Sequence, residues 1–140
     1  MKGLSTLIRL SKRTLDELRR KMVSLETQKA QLEKAIVVMQ KELNDEVALG
    51  AKQPEMANFF GEFAKRIKQR QEVLRDEIRS LDKQIAALNE EIFIAFTELK
   101  KYEVAKENAM KRAAEETARK ETIALDEVAG QQFQRKKEKH

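Results

Sequence analysis

Apolar residues recur at alternating steps of four and three from Leu4 to Leu43. The series is Leu4, Ile8, Ser11, Leu15, Leu18, Met22, Leu25, Lys29, Leu32, Ile36, Met39 and Leu43. Only Ser11 and Lys29 are polar. A two-in-seven repeat gives a helix a narrow apolar stripe, right for one partner helix and too thin for a globular core. The spacing predicts a first helix from about Leu4 to about Leu49. Gly50 reads as a helix stop and Pro54 as a first-turn residue of the next helix.

The same steps resume at Phe60 and run through Ala64, Ile67, Gln71, Leu74, Ile78, Leu81, Ile85, Leu88, Ile92, Ala95 and Leu99 to Tyr102. After Tyr102 the large apolar residues thin out, while Ala, Glu, Lys and Arg keep helix propensity high. Two long helices on a short connection favour an antiparallel hairpin. The expected fold class is therefore all-α: two long helices forming an antiparallel coiled-coil hairpin, the second longer and projecting beyond the first. The chain reads as one coiled-coil domain, 1–140. Helix 1 spans about 4–49, the loop 50–53, helix 2 about 54–130, and a frayed basic tail 131–140. A fold-back at 50–53 places residue i opposite roughly residue 103 − i. Ile8 is then expected near Ala95, and Leu4 near Leu99.

Composition agrees with this pattern. Charged residues make up 38% and aromatics 5%, with no cysteine, so disulfides and thiolate metal sites are excluded. The opening segment lacks the apolar run of a signal peptide or a membrane span. The net charge of +5 is uneven. Residues 1–21 hold seven basic and two acidic groups, and residues 131–140 hold four basic and one acidic. Two readings of the basic ends stand: solvated termini, or a surface for an anionic partner.

No catalytic constellation is visible. The one histidine is His140, the last residue, and no glycine-rich phosphate loop or metal-ligand spacing occurs. The sequence reads as a non-enzyme without cofactor or metal. The polar seam residues Ser11, Lys29 and Gln71 are candidates for setting register, although Lys29 can instead extend its ammonium out of a thin seam. Phe59, Phe60 and Phe63 cluster after the loop. Phe60 fits the seam and Phe63 flanks it. Phe59 falls off it, where an exposed aromatic suits docking; the alternative is a structural cap over Leu43 and Val47. Arg135-Lys136-Lys137 is a weak nucleic-acid signal, without interleaved aromatics to stack bases.

The two chain ends together resemble the FliJ family, small stalk proteins of the bacterial flagellar export apparatus. Arg9-Leu10-Ser11-Lys12 with Asp16-Glu17-Leu18-Arg19-Arg20 is similar to the family's opening. Leu125-Asp126-Glu127-Val128-Ala129, then Phe133 and Arg135-Lys136-Lys137, looks like its C-terminal signature. Phe59, Phe63 and Ile67 resemble its aromatic/aliphatic motif early in the second helix. Phe63 stands where that pattern leads one to expect leucine, and Arg66 where it leads one to expect a small residue. The resemblance covers nearly the whole chain.

The resemblance implies a two-helix stalk that inserts its open end into the hexameric export ATPase, touches the large membrane protein of the export gate and binds free export chaperones. It implies gate binding through Phe59, Phe63, Arg66, Ile67 and Arg70. It implies ring binding through Arg9, Lys12, Arg13, Arg19, Arg20, Asp126, Glu127, Phe133 and Arg135. A cytoplasmic monomer is expected, peripheral to the inner membrane at the flagellar base and membrane-associated only through partners, with no nucleic acid. The competing readings are the equivalent stalk of a virulence-type secretion system and a basic coiled coil that binds nucleic acid or a membrane surface.

Overall fold

The structure is a computed structural model that describes residues 2–138; His140, and with it the last two positions of the expected tail, lies outside the described residues. Two long helices, α1 (Lys2–Gly50) and α2 (Ala57–Glu138), are joined through a short 3-10 turn at Pro54–Met56. No strand occurs among the described residues. The fold is an all-α antiparallel hairpin in which α2 is the longer helix. It divides into two compact units, one formed by Arg13–Ala95 and the other by the stretch up to Lys12 with that from Phe96 onward.

Every seam position read from the sequence is covered in the structure. The series from Leu4 to Leu43 and from Phe60 to Tyr102 is buried or half-buried throughout. In the unit Arg13–Ala95 the most deeply buried apolar residues are Leu15, Met22, Leu43, Leu81 and Leu88. Burying a leucine contributes roughly 1.5–3 kcal/mol, and only these few apolar side chains are deeply buried in this unit. Truncating one of them to alanine is therefore the most damaging kind of single change here.

The register differs from the expected one. Gln71 reaches Ile36 and Gln40, Lys29 reaches Asp82, and Gly50 meets Phe60. In this unit residue i of α1 thus faces roughly residue 110 − i, the relation expected of an antiparallel hairpin with a wider turn. The cause is the turn itself. Pro54–Met56 does not begin the paired helix but belongs to the reversal, with Lys52, Gln53 and Met56 each donating to the carbonyl three residues back. The shift is one heptad, which lays seam on seam as before. Periodicity alone is blind to such a slip.

The other unit shows the same displacement. Ile8 lines a groove with Glu103, Glu107 and Met110, about a heptad or more further along α2 than the expected register gave. Partial burial on α2 continues past Tyr102 to Ala109, with alanines in place of large side chains. From Met110 to Glu138 every residue is exposed.

The C-terminal boundary also needs correction. The tail expected to fray from residue 131 is helical to Glu138. Gly130 does not stop the helix, because no glycine adopts positive φ and the residues after it are mostly good helix formers. Arg135, Lys136 and Lys137 occupy the last turn, where cations complement the helix dipole. Gly50 does close α1, but again without positive φ. Its missing Cβ is what the turn uses: an added Cβ would lie 2.7 Å from Phe60 Cδ2.

Candidate interaction surfaces

The aromatic cluster is built by that turn. With Phe60 folded onto Gly50, its neighbour Phe59 must point off the seam, and it is 53% exposed. The two rings meet edge to face with centroids 5.6 Å apart, a geometry worth about 0.5–1.5 kcal/mol beyond area burial. Phe63 and Ile67 are half-buried, and Arg66 and Arg70 are exposed. The five expected gate-binding residues therefore divide: Phe59, Arg66 and Arg70 are displayed, whereas Phe63 and Ile67 also serve the seam. The cap reading fails at Val47, which stays 55% exposed.

The expected ring-binding residues are all exposed and are divided between the two units. Arg13, Arg19 and Arg20 belong to the unit Arg13–Ala95, while Arg9 and Lys12 belong to the other. Within the first of these units Arg13 and Arg20 stand two helical turns apart and share a face. Lys12 lines the groove of about 490 Å³ that runs from Glu103 to Ala114. Asp126 lies a further twelve residues along α2, about 18 Å at the helical rise, and Arg135 about 30 Å. Within the unit that holds both, Lys12 and the basic last turn of α2 are thus separate features. Asp126, Glu127, Phe133 and Arg135 stand on exposed helix.

Between the helices of the unit Arg13–Ala95 the polar seam residues are engaged. Gln71 is only 2% exposed, and its Nε2 donates to the Ile36 carbonyl and to Gln40 Oε1, each at 3.2 Å. Lys29 Nζ lies 2.7 Å from Asp82 Oδ1. The hydrogen bond to Asp82, and then its charge, hold the Lys29 pKa above 10.5. Lys29 thus leans out of the seam, as a long flexible stem permits, yet ties α1 to α2. On the other unit Tyr102 donates to Glu98 Oε1 at 2.9 Å, and that bond raises the Tyr102 pKa above 10.0.

The sequence reading missed Phe93 and Ile94. Both are large, apolar and strongly exposed on α2. The signal was available: two bulky residues at off-seam positions inside the apolar run 92–96. Among the described residues no group of three or more acidic or histidine side chains is placed to hold a metal, and no helix is long and apolar enough to cross a membrane.

Fold and surface together define a two-helix antiparallel coiled-coil protein whose distinctive groups are displayed on helix faces. The model of one family, described as flagellar FliJ protein, matches residues 1–138. The chain belongs to the flagellar FliJ family. No curated protein and no solved structure matches it.

Proposed function

We propose that the protein is a cytoplasmic, non-catalytic stalk and adaptor of the flagellar export apparatus, at the inner-membrane base of the flagellum. The observation that carries this reading is the family match across nearly the whole chain. Membership implies a stalk role in flagellar export and favours the flagellar over the virulence-type system. The finer assignments follow the surface chemistry. The hexameric export ATPase is contacted through the exposed basic residues of α1 (Arg9, Lys12, Arg13, Arg19, Arg20) and through Asp126, Glu127, Phe133 and Arg135 on α2. The large membrane protein of the export gate docks on Phe59 with Phe63, Arg66, Ile67 and Arg70. Free export chaperones are further partners.

Exposed ion pairs are individually worth about 0–1 kcal/mol. Single charge changes on α1 should therefore do little, and several together should do much. The test is stimulation of the purified export ATPase by a chain with Arg9, Lys12, Arg13 and Arg19 all changed to Glu. Loss of stimulation with helicity retained is the expected result. Undiminished stimulation by that folded variant removes these residues from the ring contact.

A further inference from the structure

One flank of the hairpin in the unit Arg13–Ala95 carries a groove of about 370 Å³, lined from α1 by Gln31 and from α2 by Glu77 and Ser80, among others. In a coiled coil a step of seven residues returns to the same position on a helix. The helices are antiparallel, so a step toward the turn adds seven on α1 and removes seven on α2. From Gln31 and Ser80 that step leads to Val38 and Val73, and a second step to Asp45 and Arg66. A third step on α2 reaches Phe59. From Glu77 the same steps lead to Arg70 and Phe63. Four of the five residues given above to the gate protein therefore share one flank with the groove, and Val38 and Val73 stand between.

These two valines are not used by the seam. Val38 is 47% exposed and Val73 is 57% exposed. In the observed register, residue i against roughly 110 − i, they lie across from each other on the two helices. Valine is a poor choice for a solvated helix position, because its branched side chain loses rotamer freedom there. Two exposed valines side by side on a charged rod mark a contact surface. The flank thus has two apolar points, Phe59 near the turn and the Val38–Val73 layer. They are fourteen residues apart on α2, about 21 Å at the helical rise. Between them stand the exposed Asp45 and Arg66, of opposite charge.

We propose that the gate-docking surface spans both helices, with Val38 of α1 and Val73 of α2 as its second apolar anchor. One segment of the gate protein lies along this flank from Phe59 to the valine layer and presents apolar side chains about 21 Å apart. The occupant is the gate protein because the valines continue, at heptad steps on the same flank, the residues assigned to it; the inference rests on that reading. It adds a contact on α1, where the expected gate residues all lie on α2.

Binding of the full chain to the purified gate protein tests this, with helicity and melting measured on each variant. Val38→Glu and Val73→Glu should each weaken binding about tenfold, as loss of an interface anchor does, with melting nearly unchanged because both positions are off the seam. Val38→Ala, which keeps helix propensity high, should weaken binding about threefold and serves if the charged variant loses helicity. Val37→Glu is the control. Val37 is 67% exposed, but it stands a helical turn from Glu33 and Gln40, on the flank where Lys29 and Gln71 make their bonds. Its change should leave binding as it was. Weakening by Phe59→Ala with none by the Val38 and Val73 variants overturns the two-helix surface and leaves the gate reading intact. Weakening by the valine variants with none by Phe59→Ala supports the valine anchor and removes the aromatic end from the contact. No weakening by any of them overturns both. Equal weakening by Val37→Glu and Val38→Glu overturns the proposal, since the effect is then one of added charge and not of this flank.

Discussion

The Phe60 ring occupies the space a side chain at Gly50 would take. A Cβ built on Gly50 meets Phe60 Cδ2 at 2.7 Å and Cγ at 3.0 Å. The near atoms include the root of the ring, which cannot swing aside without moving the Phe60 side chain as a whole. Gly50→Ala should therefore destabilise the hairpin by roughly 1–2 kcal/mol, an overpacking effect only partly offset by better helix propensity. Gly61 has nothing within 4 Å of an added Cβ. Gly61→Ala should stabilise by about 0.5–1 kcal/mol. Thermal melts of the two variants should move in opposite directions.

Gln71 supplies a different test. It is buried in the seam and bonded to both a backbone carbonyl and a side chain of α1. Gln71→Ala removes packing and both bonds, and should cost about 2–3 kcal/mol. Gln71→Leu should leave melting unchanged or raised, because Gln40 can turn to water and the Ile36 carbonyl keeps its intrahelical partner. A polar seam residue specifies register rather than strength. Spin labels on Lys34 and Glu77 should accordingly report a broader distance distribution in Gln71→Leu than in the native chain.

Register is also where the sequence was least legible. All the seam residues were readable, because burial on a two-helix hairpin depends on spacing alone. Which seam residue faces which depends on how many residues the turn consumes. Pro54 marked the turn region, but not that Pro54–Met56 belongs to the reversal. The end of α2 was misread for a different reason: a basic terminal segment reads as frayed, but its Gln, Arg, Lys and Glu residues are good helix formers and the helix runs on to Glu138. Phe59 could be singled out because it broke the spacing. Phe93 and Ile94 broke it too, but were hidden inside an apolar run.

Alkaline pH should weaken the hairpin through two groups. Lys29 has its pKa raised above 10.5, chiefly by its hydrogen bond to Asp82, and Tyr102 above 10.0, chiefly by its bond to Glu98. A folded pKa above the unfolded one means stability that is fully present below the unfolded value and lost as pH rises through the folded one. Stability from these groups should be flat through neutral pH and fall above about pH 10. Tyr102 is the only tyrosine and there is no tryptophan. Ultraviolet titration of tyrosinate therefore reads this one site. Its midpoint should lie above 10.0 in the native chain and move down in Glu98→Ala.

Phe59 separates docking from structure. Its ring touches Phe60 at its edge but lies off the seam and is more than half exposed. Phe59→Ala should lower stability by only about 0.5–1 kcal/mol, the worth of one edge-to-face contact. If Phe59 anchors the gate protein, truncation should weaken that binding by more than about tenfold, as loss of an aromatic hot spot does. Phe63 is a poorer probe, because it is half-buried and its loss disturbs the seam as well. Melting and gate-protein binding should be measured on the same Phe59→Ala preparation. A large drop in melting with unchanged binding would make the ring a structural element of the turn and move the gate contact elsewhere, with exposed Arg66 and Arg70 as the next residues to change.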